Sequence, residues 1–337
     1  MSRDVESSSL LLDVRDLKLH FAVYGGSLKV LDGVSLSVRR GEKVGLVGET
    51  GCGKTTTMKA ILRVLPGTAR ISGGEISFMG RDILGMSLHD LSRVRGRGIS
   101  MIFQDPTAAL NPVFTVGEQL EEVISHSAAA GGHGLSRRAA HQQAIASLQE
   151  VALADPQRLL GSYPVQLSGG MRQRVCIGMA LATGPALLIA DEPGTSLDVT
   201  IQDQILRLLQ ALVDDRHASV ILITHTLGVV RELTDRVYVM YAGTVVETAR
   251  TPKLFARPAH PYTQGLLETV PRLTGGGIAS GIPGRIPDYL NPPSGCRFHT
   301  RCPHVMDVCR VRKPPLFRID DEHEAACFLY ADRGQAQ

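Results

Sequence analysis

The sequence lacks any long hydrophobic run and any strong excess of one charge, and each absence excludes a class of protein. No stretch approaches the roughly 18 consecutive apolar residues that indicate a membrane-spanning helix. The 36 basic and 33 acidic residues leave a net charge of +3, which is too balanced to indicate nucleic-acid binding by charge alone. The opening "MSRDVESSSLLLDVRD" carries charges where a signal peptide needs apolar residues. We therefore expect a cytosolic protein without a nucleic-acid partner, which can serve a membrane only through other chains.

Cysteine is scarce, and its distribution is uneven. Four of the six cysteines, Cys296, Cys302, Cys309 and Cys327, lie near the end of the chain. In a reducing compartment this clustering favours a metal centre over disulfide bonds. Apolar residues, by contrast, make up 43% of the 337 residues, enough for one large domain with an appendage or for two modest domains.

The apolar pattern predicts an α/β fold. Alternating apolar and polar residues predict strands in "LKLHFAV" and "VSLSVRR", and helical spacing recurs at 117–126 and 137–153. The near-continuous apolar runs at 186–190 and 219–224 are typical of buried parallel strands, and the amphipathic segment 203–215 between them completes a βαβ unit. "RVYVMYAGTVVETA" predicts a terminal hairpin, after which proline and glycine become frequent.

"GETGCGKT" matches the phosphate-loop pattern G-x-x-x-x-G-K-[ST], and it lies between a predicted strand and a helix predicted over 54–65. The alternative, a chance glycine-rich turn, would not require that context. Glycines let backbone N–H groups turn towards phosphate oxygens, and the helix N-terminus adds positive potential. Lys54 can reach the β- and γ-phosphates, and the Thr55 hydroxyl can bind Mg²⁺. The predicted nucleotide-binding residues of this loop are Gly48, Glu49, Thr50, Gly51, Cys52, Gly53, Lys54, Thr55 and Thr56.

Cys52 is an unusual member of this loop. It lies between backbone amides at a helix N-terminus and two residues from Lys54. Such surroundings predict a lowered thiol pKa and a reactive thiolate.

Two predicted strands end in residues suited to nucleotide hydrolysis. "ALLIADEP" ends in Asp191, which we expect to hold Mg²⁺, and Glu192, which we expect to polarise the attacking water. His225 follows the next strand, where it could contact the γ-phosphate, although a lone histidine is often structural.

A second candidate anion site follows in "LSGGMRQR". Ser168 could cap a helix there, and Gly169 and Gly170 would allow close backbone approach to a phosphate.

Together these motifs resemble the ATP-binding-cassette (ABC) ATPases over roughly residues 10 to 250. The resemblance implies a P-loop NTPase core with an antiparallel β part and a helical subdomain at about 105–180. It implies that Gln104 in "MIFQDP" senses Mg²⁺ and the membrane partner, and that "SLD", with Asp198, forms the D-loop. Phe21 matches the aromatic residue that stacks on adenine, with Tyr24 as a weaker candidate and core packing as the other explanation.

The family mechanism explains why two anion sites occur in one chain. Two ABC subunits face each other head to tail, and ATP binds between the phosphate loop of one and the Ser168-type loop of the other. Binding closes the pair, and hydrolysis reopens it. This sequence departs from the usual family pattern at Thr226, which stands where Asp is common, and at Cys52, which stands where Ser is common.

The end of the chain resembles the C-terminal extension of the oligopeptide/dipeptide importer subfamily, whose hallmark is the triplet His260-Pro261-Tyr262. This predicts a cassette over 1–252 and a loop-rich extension over 253–337. It implies a second, related ATPase subunit, two integral membrane permease subunits and an extracytoplasmic binding protein, with this chain at the cytoplasmic face of the membrane. Peptides are the default substrate. Nickel, glutathione, opines and oligosaccharides are the alternatives, and a soluble ABC ATPase is the alternative of another class.

The spacing of the four tail cysteines, C-x₅-C-x₆-C-x₁₇-C, indicates one four-thiolate metal centre without identifying the metal. The importer resemblance favours a [4Fe–4S] cluster. Nearby histidines keep zinc as the alternative, and we expect a structural role in either case.

Overall fold

The structure is a computed structural model that describes residues 10–195, 197–269 and 281–333. The chain divides into two units. The first unit comprises Met1–Val38, Lys43–Leu84 and Ile223–Gln337, and the second comprises Arg39–Glu42 and Gly85–Leu222. The predicted domain limits, at 252 and at about 105–180, stay a prediction.

Strands and helices follow one another along the whole described chain. The strands are β1 (Leu10–Val23), β2 (Gly26–Arg39), β3 (Lys43–Val47), β4 (Ala69–Phe78), β5 (Arg81–Asp82), β6 (Ile99–Ile102), β7 (Leu187–Asp191), β8 (Ser219–Ile223), β9 (Arg236–Tyr241), β10 (Thr244–Arg250), β11 (Phe317–Asp320) and β12 (His323–Ala325). The α-helices are α1 (Lys54–Ile61), α2 (Leu88–Val94), α3 (Pro106–Ala109), α4 (Val116–Ala130), α5 (Arg137–Glu150), α6 (Pro156–Leu160), α7 (Gly169–Leu181), α8 (Val199–Asp215), α9 (Leu227–Leu233), α10 (Thr251–Ala256), α11 (Pro261–Glu268) and α12 (Asp307–Val311). Short 3₁₀ helices span Pro164–Gln166 and Phe328–Arg333.

The first unit contains an antiparallel sheet with the strand order β2-β1-β4-β5. Strand β1 pairs with β4 in a register that places Leu12 opposite Phe78 and Leu19 opposite Ile71. Leu12, Leu17 and Leu19 are fully buried. The predicted strand in "LKLHFAV" is therefore confirmed, and its apolar residues supply one face of the sheet to the core.

A second sheet of the first unit carries the phosphate loop. Strand β3, which leads into that loop, pairs in parallel with β9, and β9 pairs antiparallel with β10. The predicted terminal hairpin is confirmed. Its turn residues Ala242 and Gly243 both have positive φ, as two-residue hairpin turns of the I′ type require. Strand β10 pairs on its other side with β12, and β12 pairs with β11.

One apolar core joins the residues before and after position 252. Tyr241, Tyr262 and Phe298 are buried in it, together with Val239 and Leu254. The extension thus contributes large aromatic side chains to the core that supports β9 and β10, and burial of such side chains is worth several kcal/mol in order of magnitude.

The second unit contains the strand order β8-β7-β6, with β6 and β7 parallel. Every residue of β7 and β8 is buried, which confirms the interpretation of both apolar runs as buried strands. Helix α4 begins with a capping box: the Thr115 side chain accepts from the Glu118 N–H, and the Glu118 side chain accepts from the Thr115 N–H.

Helix α1 is shorter than predicted. The apolar pattern predicts a helix as far as residue 65, but α1 ends at Ile61. Arg63 adopts the left-handed conformation with φ 52°, and the Val64 N–H donates to the Lys59 carbonyl at 2.9 Å. These are the features of a Schellman C-cap, which ends the helix before Pro66 can do so.

Candidate functional site

The phosphate loop joins β3 to α1 in the first unit. Gly48 has φ 152°, and a Cβ added there would lie 2.2 Å from the Met240 carbonyl oxygen. Gly53, at φ 105°, is the N-cap of α1 and makes no side-chain capping bond to the helix. The loop therefore needs glycine at both positions.

Lys54 is folded back onto its own loop. Its Nζ donates to the Gly48 carbonyl at 2.8 Å and to the Glu49 carbonyl at 3.1 Å, and only 5% of the residue is exposed. A buried ammonium held by loop carbonyls supplies a positive charge at the centre of the cradle. The predicted contact of Lys54 with the β- and γ-phosphates stays a prediction.

The prediction of a reactive Cys52 is wrong in its physical basis. The thiol is fully buried, and burial raises its pKa above the ordinary value despite the opposing effect of Lys54. Desolvation of the thiolate outweighs the neighbouring positive charge, although Lys54 Nζ donates to the Cys52 sulfur at 3.8 Å as well as to the Gly48 carbonyl.

The acidic residues of the second unit lie at the end of β7. Asp191 is 2% exposed and Glu192 follows it with φ 47°, an uncommon conformation for a residue other than glycine. A tight turn supports this conformation, since the Gly194 N–H donates to the Glu192 carbonyl at 2.7 Å. Gln104 Nε2 donates to Glu192 Oε2 at 3.0 Å, so two of the predicted catalytic side chains are in contact.

The Ser168 loop begins helix α7 as predicted. The Ser168 side chain accepts from the Met171 N–H at 3.3 Å. A Cβ added to Gly170 would lie 2.9 Å from Ile201 Cγ2, and one added to Gly169 would lie 3.1 Å from Leu197 Cδ2. In this chain both glycines therefore serve close packing against the region that begins α8, a role beyond the predicted approach to phosphate.

The remaining predicted residues occupy different places. Asp198 is the N-cap of α8, where its Oδ1 accepts from the Ile201 N–H at 3.0 Å. Ser196 of the predicted D-loop lies outside the described residues. His225 follows β8 and is exposed, Phe21 is half-buried in β1, and Tyr24 is fully exposed in the turn after β1.

The four tail cysteines are neighbours within the first unit. The Cys296 N–H donates to the Cys309 carbonyl at 2.8 Å. Burial, with a smaller contribution from nearby thiols, raises the pKa of Cys296 and of Cys327 to about 11. Among the described residues, however, no group of three or more His, Cys, Asp or Glu side chains is arranged to hold a metal ion. The predicted iron–sulfur cluster and its zinc alternative therefore lack support from the geometry, in which Cys309 and Cys327 are buried and Cys296 and Cys302 are half-buried.

Sequence reasoning missed three residues of the extension that contact the phosphate loop: Tyr262, Tyr289 and Arg301. They lie more than 200 residues from the loop in the chain. No local motif could have paired them with it, although Tyr262 belongs to the triplet on which the subfamily resemblance rests.

Comparison with known proteins shows which class of ATPase the chain resembles. Residues 31–195 match the family described as ABC transporter, and the fold is that of ABC ATPase cassettes. The dimeric structure of a post-hydrolysis state of the ATP-binding cassette MJ0796, bound to ADP and Pi, has a TM-score of 0.63 at 25% identity and covers 71% of this chain and 98% of that chain. The structure of cbiO1 from Clostridium perfringens has a TM-score of 0.60 at 25% identity, with 74% and 92% coverage.

Residues 246–309 match the family described as oligopeptide/dipeptide transporter, C-terminal region. "Probable peptide ABC transporter ATP-binding protein y4tR" of Sinorhizobium fredii is 49% identical over 95% of both chains. The dipeptide transport ATP-binding protein DppD of Bacillus subtilis is 44% identical over 96% of both chains. The oligopeptide transport ATP-binding protein OppD of Salmonella typhimurium is 43% identical over 96% of this chain and 95% of its own.

The chain belongs to the ABC transporter family of ATP-binding subunits, in the branch that carries the oligopeptide/dipeptide transporter C-terminal region. It is an ATP-hydrolysing motor subunit of an ABC importer, and the resemblance predicted from its motifs is confirmed. No helix among the described residues has the length and apolar character needed to cross a membrane.

Proposed function

We propose that this ATPase drives the uptake of dipeptides or oligopeptides. The single observation that carries the proposal is that the match extends through both regions, 31–195 and 246–309, while the relatives that share nearly the whole chain bear the names of peptide transport proteins. Nickel, glutathione, opines and oligosaccharides are the alternative substrates. The ATPase subunit does not contact the substrate, so its own side chains do not discriminate among them.

We assign the ATP-binding role to the phosphate loop of Gly48–Thr56. Lys54 would contact the β- and γ-phosphates, and Phe21 would stack on adenine. The oxygen donors of Thr55, Gln104 and Asp191 are of the type that Mg²⁺ prefers, and we assign Mg²⁺ to them. When bound, Mg²⁺ would neutralise charge on the phosphates.

The hydrolytic step is assigned to Glu192 as the base that orients and polarises water, with His225 contacting the γ-phosphate. The hydrogen bond from Gln104 Nε2 to Glu192 Oε2 supports this assignment, because it restrains a carboxylate that must have a fixed direction. The left-handed backbone of Glu192 is a second support, since such strain is common at functional sites.

We propose that two ATPase subunits pair head to tail, with Ser168, Gly169, Gly170 and Asp198 facing the nucleotide held by the partner. Support comes from the dimeric cassette to which this chain is similar. The partner would be a related chain or a second copy. The pair would attach to two integral membrane permease subunits at the cytoplasmic face, and an extracytoplasmic binding protein would deliver the substrate.

The sequence predicts a [4Fe–4S] cluster or zinc at the four tail cysteines, but the described side chains form no metal-binding group. Metal analysis decides between these two. Iron, zinc and acid-labile sulfide should be measured on protein purified without oxygen. About four irons per chain would support the cluster, one zinc would support the alternative, and neither metal would contradict both.

The hydrolytic assignment is tested by Glu192→Gln. Gln keeps the size of the side chain but loses the basic oxygen, so we expect ATP binding to remain and turnover to fall by at least about 10²-fold. The matched control is Glu232→Gln, at an exposed glutamate of α9. Turnover of Glu192→Gln within a few-fold of the wild type would remove Glu192 from this role.

The substrate assignment needs the whole transporter. ATP hydrolysis should be measured in vesicles that contain the permease pair, both ATPase subunits and the binding protein. We expect stimulation by dipeptides or oligopeptides. Stimulation by nickel, glutathione, an opine or an oligosaccharide, without a response to peptides, would contradict the assignment.

A further inference from the structure

The C-terminal extension holds the phosphate loop at two points. Arg301 donates from Nη1 to Glu49 Oε2 at 2.7 Å and from Nη2 to Glu49 Oε1 at 3.0 Å. The Glu49 N–H donates to the Tyr262 hydroxyl oxygen at 2.8 Å, and the Tyr289 hydroxyl donates to the Gly51 carbonyl at 2.8 Å. We call Tyr262, Tyr289 and Arg301 the loop clamp.

Every side-chain N–H group of Arg301 donates a hydrogen bond. Besides its two bonds to Glu49, it donates from Nε to the Pro283 carbonyl at 2.9 Å, from Nη2 to the Ile282 carbonyl at 2.9 Å and from Nη1 to the Tyr241 hydroxyl at 3.3 Å. Its side chain is 3% exposed. A guanidinium has five N–H donors, and all five are used, so the position of the Glu49 carboxylate is set by a group that has no freedom of its own.

Aromatic side chains that pack beneath the loop clamp restrict its movement as well. Tyr241 and Tyr262 have ring centroids 4.6 Å apart, and Phe298 lies 5.1 Å from Tyr241 and 5.5 Å from Tyr262. All three residues are fully buried or nearly so. Close-packed aromatic rings hold their rotamers, and they transmit the placement of the extension to the loop.

The loop itself needs such restraint. Gly48, Gly51 and Gly53 all have positive φ, and glycine has the largest conformational freedom to lose when a ligand orders it. A loop that is already held in its binding shape loses less entropy when phosphates bind, and its affinity is correspondingly higher.

We propose that Arg301 is a positioning residue for nucleotide binding: through Glu49 it keeps the phosphate loop in the shape that receives ATP, so the extension sets the affinity of the cassette for nucleotide. The inference rests on the proposed function, because it requires ATP to bind at the loop of Lys54. Arg301 acts on the nucleotide only through Glu49.

The competing explanation is that the pair merely stabilises the fold. A second arginine–glutamate pair provides the comparison: Arg250 donates from Nε and Nη2 to Glu322 at 2.7 and 3.0 Å, with side chains 57% and 43% exposed. This pair also ties the extension to the cassette by a bidentate contact, but its side chains are far more exposed than that of Arg301. Arg250→Gln is therefore the matched control.

The test compares Arg301→Gln, Arg301→Lys, Glu49→Gln and the double variant Glu49→Gln/Arg301→Gln in the full-length subunit. Dissociation constants for ATP and ADP are measured by competition with a fluorescent ATP analogue, and KM and kcat are measured separately. All measurements are made at a temperature at which thermal unfolding curves show each variant to be folded.

We expect Arg301→Gln to raise the Kd and KM for ATP about tenfold, which corresponds to about 1.4 kcal/mol, while kcat changes less than about twofold. Glu49→Gln should have a similar effect, and the double variant should be no worse than the larger single effect, because both changes remove one interaction. Arg301→Lys should lie in between, since lysine keeps the charge but not the bidentate geometry. Arg250→Gln should stay within about twofold of the wild type.

The variant Lys54→Ala distinguishes failure of the proposed nucleotide site from failure of the positioning role of Arg301. If Lys54→Ala retains full ATP affinity, the proposed nucleotide site is wrong. If Lys54→Ala abolishes binding but Arg301→Gln binds ATP like the wild type, or if the effects of Glu49→Gln and Arg301→Gln simply multiply, only the positioning role is overturned. Should Arg301→Gln not fold, Glu49→Gln decides alone, and an unchanged Kd in that variant overturns the proposal.

Discussion

Acidification should destabilise the fold through His260, the first residue of the subfamily triplet. His260 is fully buried at the N-terminus of α11, where its Nδ1 accepts from the Tyr262 N–H at 3.0 Å. Burial lowers the pKa of His260 from 6.5 to about 4, although Glu247 opposes the shift. The imidazole is thus neutral in the folded state, and its bare Nδ1 serves as the capping acceptor.

The sign and size of this loss of stability follow from the difference in the pKa of His260 between the folded and unfolded states. Below pH 6.5 the unfolded chain binds a proton at His260 that the folded chain refuses until about pH 4, so stability falls as the pH falls through this window. A difference of about 2.5 pKa units corresponds to about 3 kcal/mol in total, of which about 2 kcal/mol is lost by about pH 5. Above pH 6.5 the contribution is constant.

The comparison variant is His260→Asn, because asparagine keeps a capping oxygen but does not titrate. Urea unfolding followed by circular dichroism gives the free energy of unfolding of both proteins at about pH 7.5 and pH 5. We expect the wild type to lose about 2 kcal/mol more than the variant between these values. His133→Asn, at an exposed histidine, should follow the wild type. A difference between wild type and His260→Asn that does not change with pH would refute the reasoning.

Three further predictions concern single positions. Iodoacetamide at about pH 8 should label Cys52 far more slowly than a free thiol, because burial raises its pKa; mass spectrometry that finds complete labelling of folded protein within minutes would contradict this. Gly243→Ala should lower the free energy of unfolding by about 3 kcal/mol or more, because its Cβ would lie 1.9 Å from the Val30 carbonyl oxygen. Gly80→Ala, at a similar φ but with open space around the new Cβ, should lower it by about 1 kcal/mol. Equal losses in the two variants would show that the structure relieves the clash at Gly243. Thr115→Ala should cost about 1 kcal/mol by removing the α4 cap, and an unchanged urea midpoint would exclude that contribution.

Most of the fold could be predicted because its signals are local. The apolar runs that became β7 and β8 are five buried residues each, and their period leaves no solvent face. The phosphate loop could be predicted because its glycines, its lysine and the flanking strand and helix lie within a few residues of each other. The end of α1 could not be predicted, because Arg63 adopts a left-handed conformation that is uncommon for a residue other than glycine.

The contacts between distant parts of the chain were the part that sequence could not supply. Glu49 meets Tyr262 and Arg301 across separations of 213 and 252 residues. Cys52 illustrates the same limit for electrostatics. Its neighbours in sequence predict a lowered pKa, but the burial that reverses the shift comes from the folded surroundings.

The pairing of β12 with β10 has a consequence for how this chain can be divided. All residues of β10 except Arg250 are buried, and β12 covers the edge of this strand that would otherwise face outward. A chain cut after β10 would present a row of unpaired N–H and C=O groups on an apolar strand, which is a template for pairing between molecules. Such a truncated cassette should therefore self-associate through that edge. A protein shortened near residue 252, where proline and glycine become frequent, should aggregate instead of remaining a separate folded subunit.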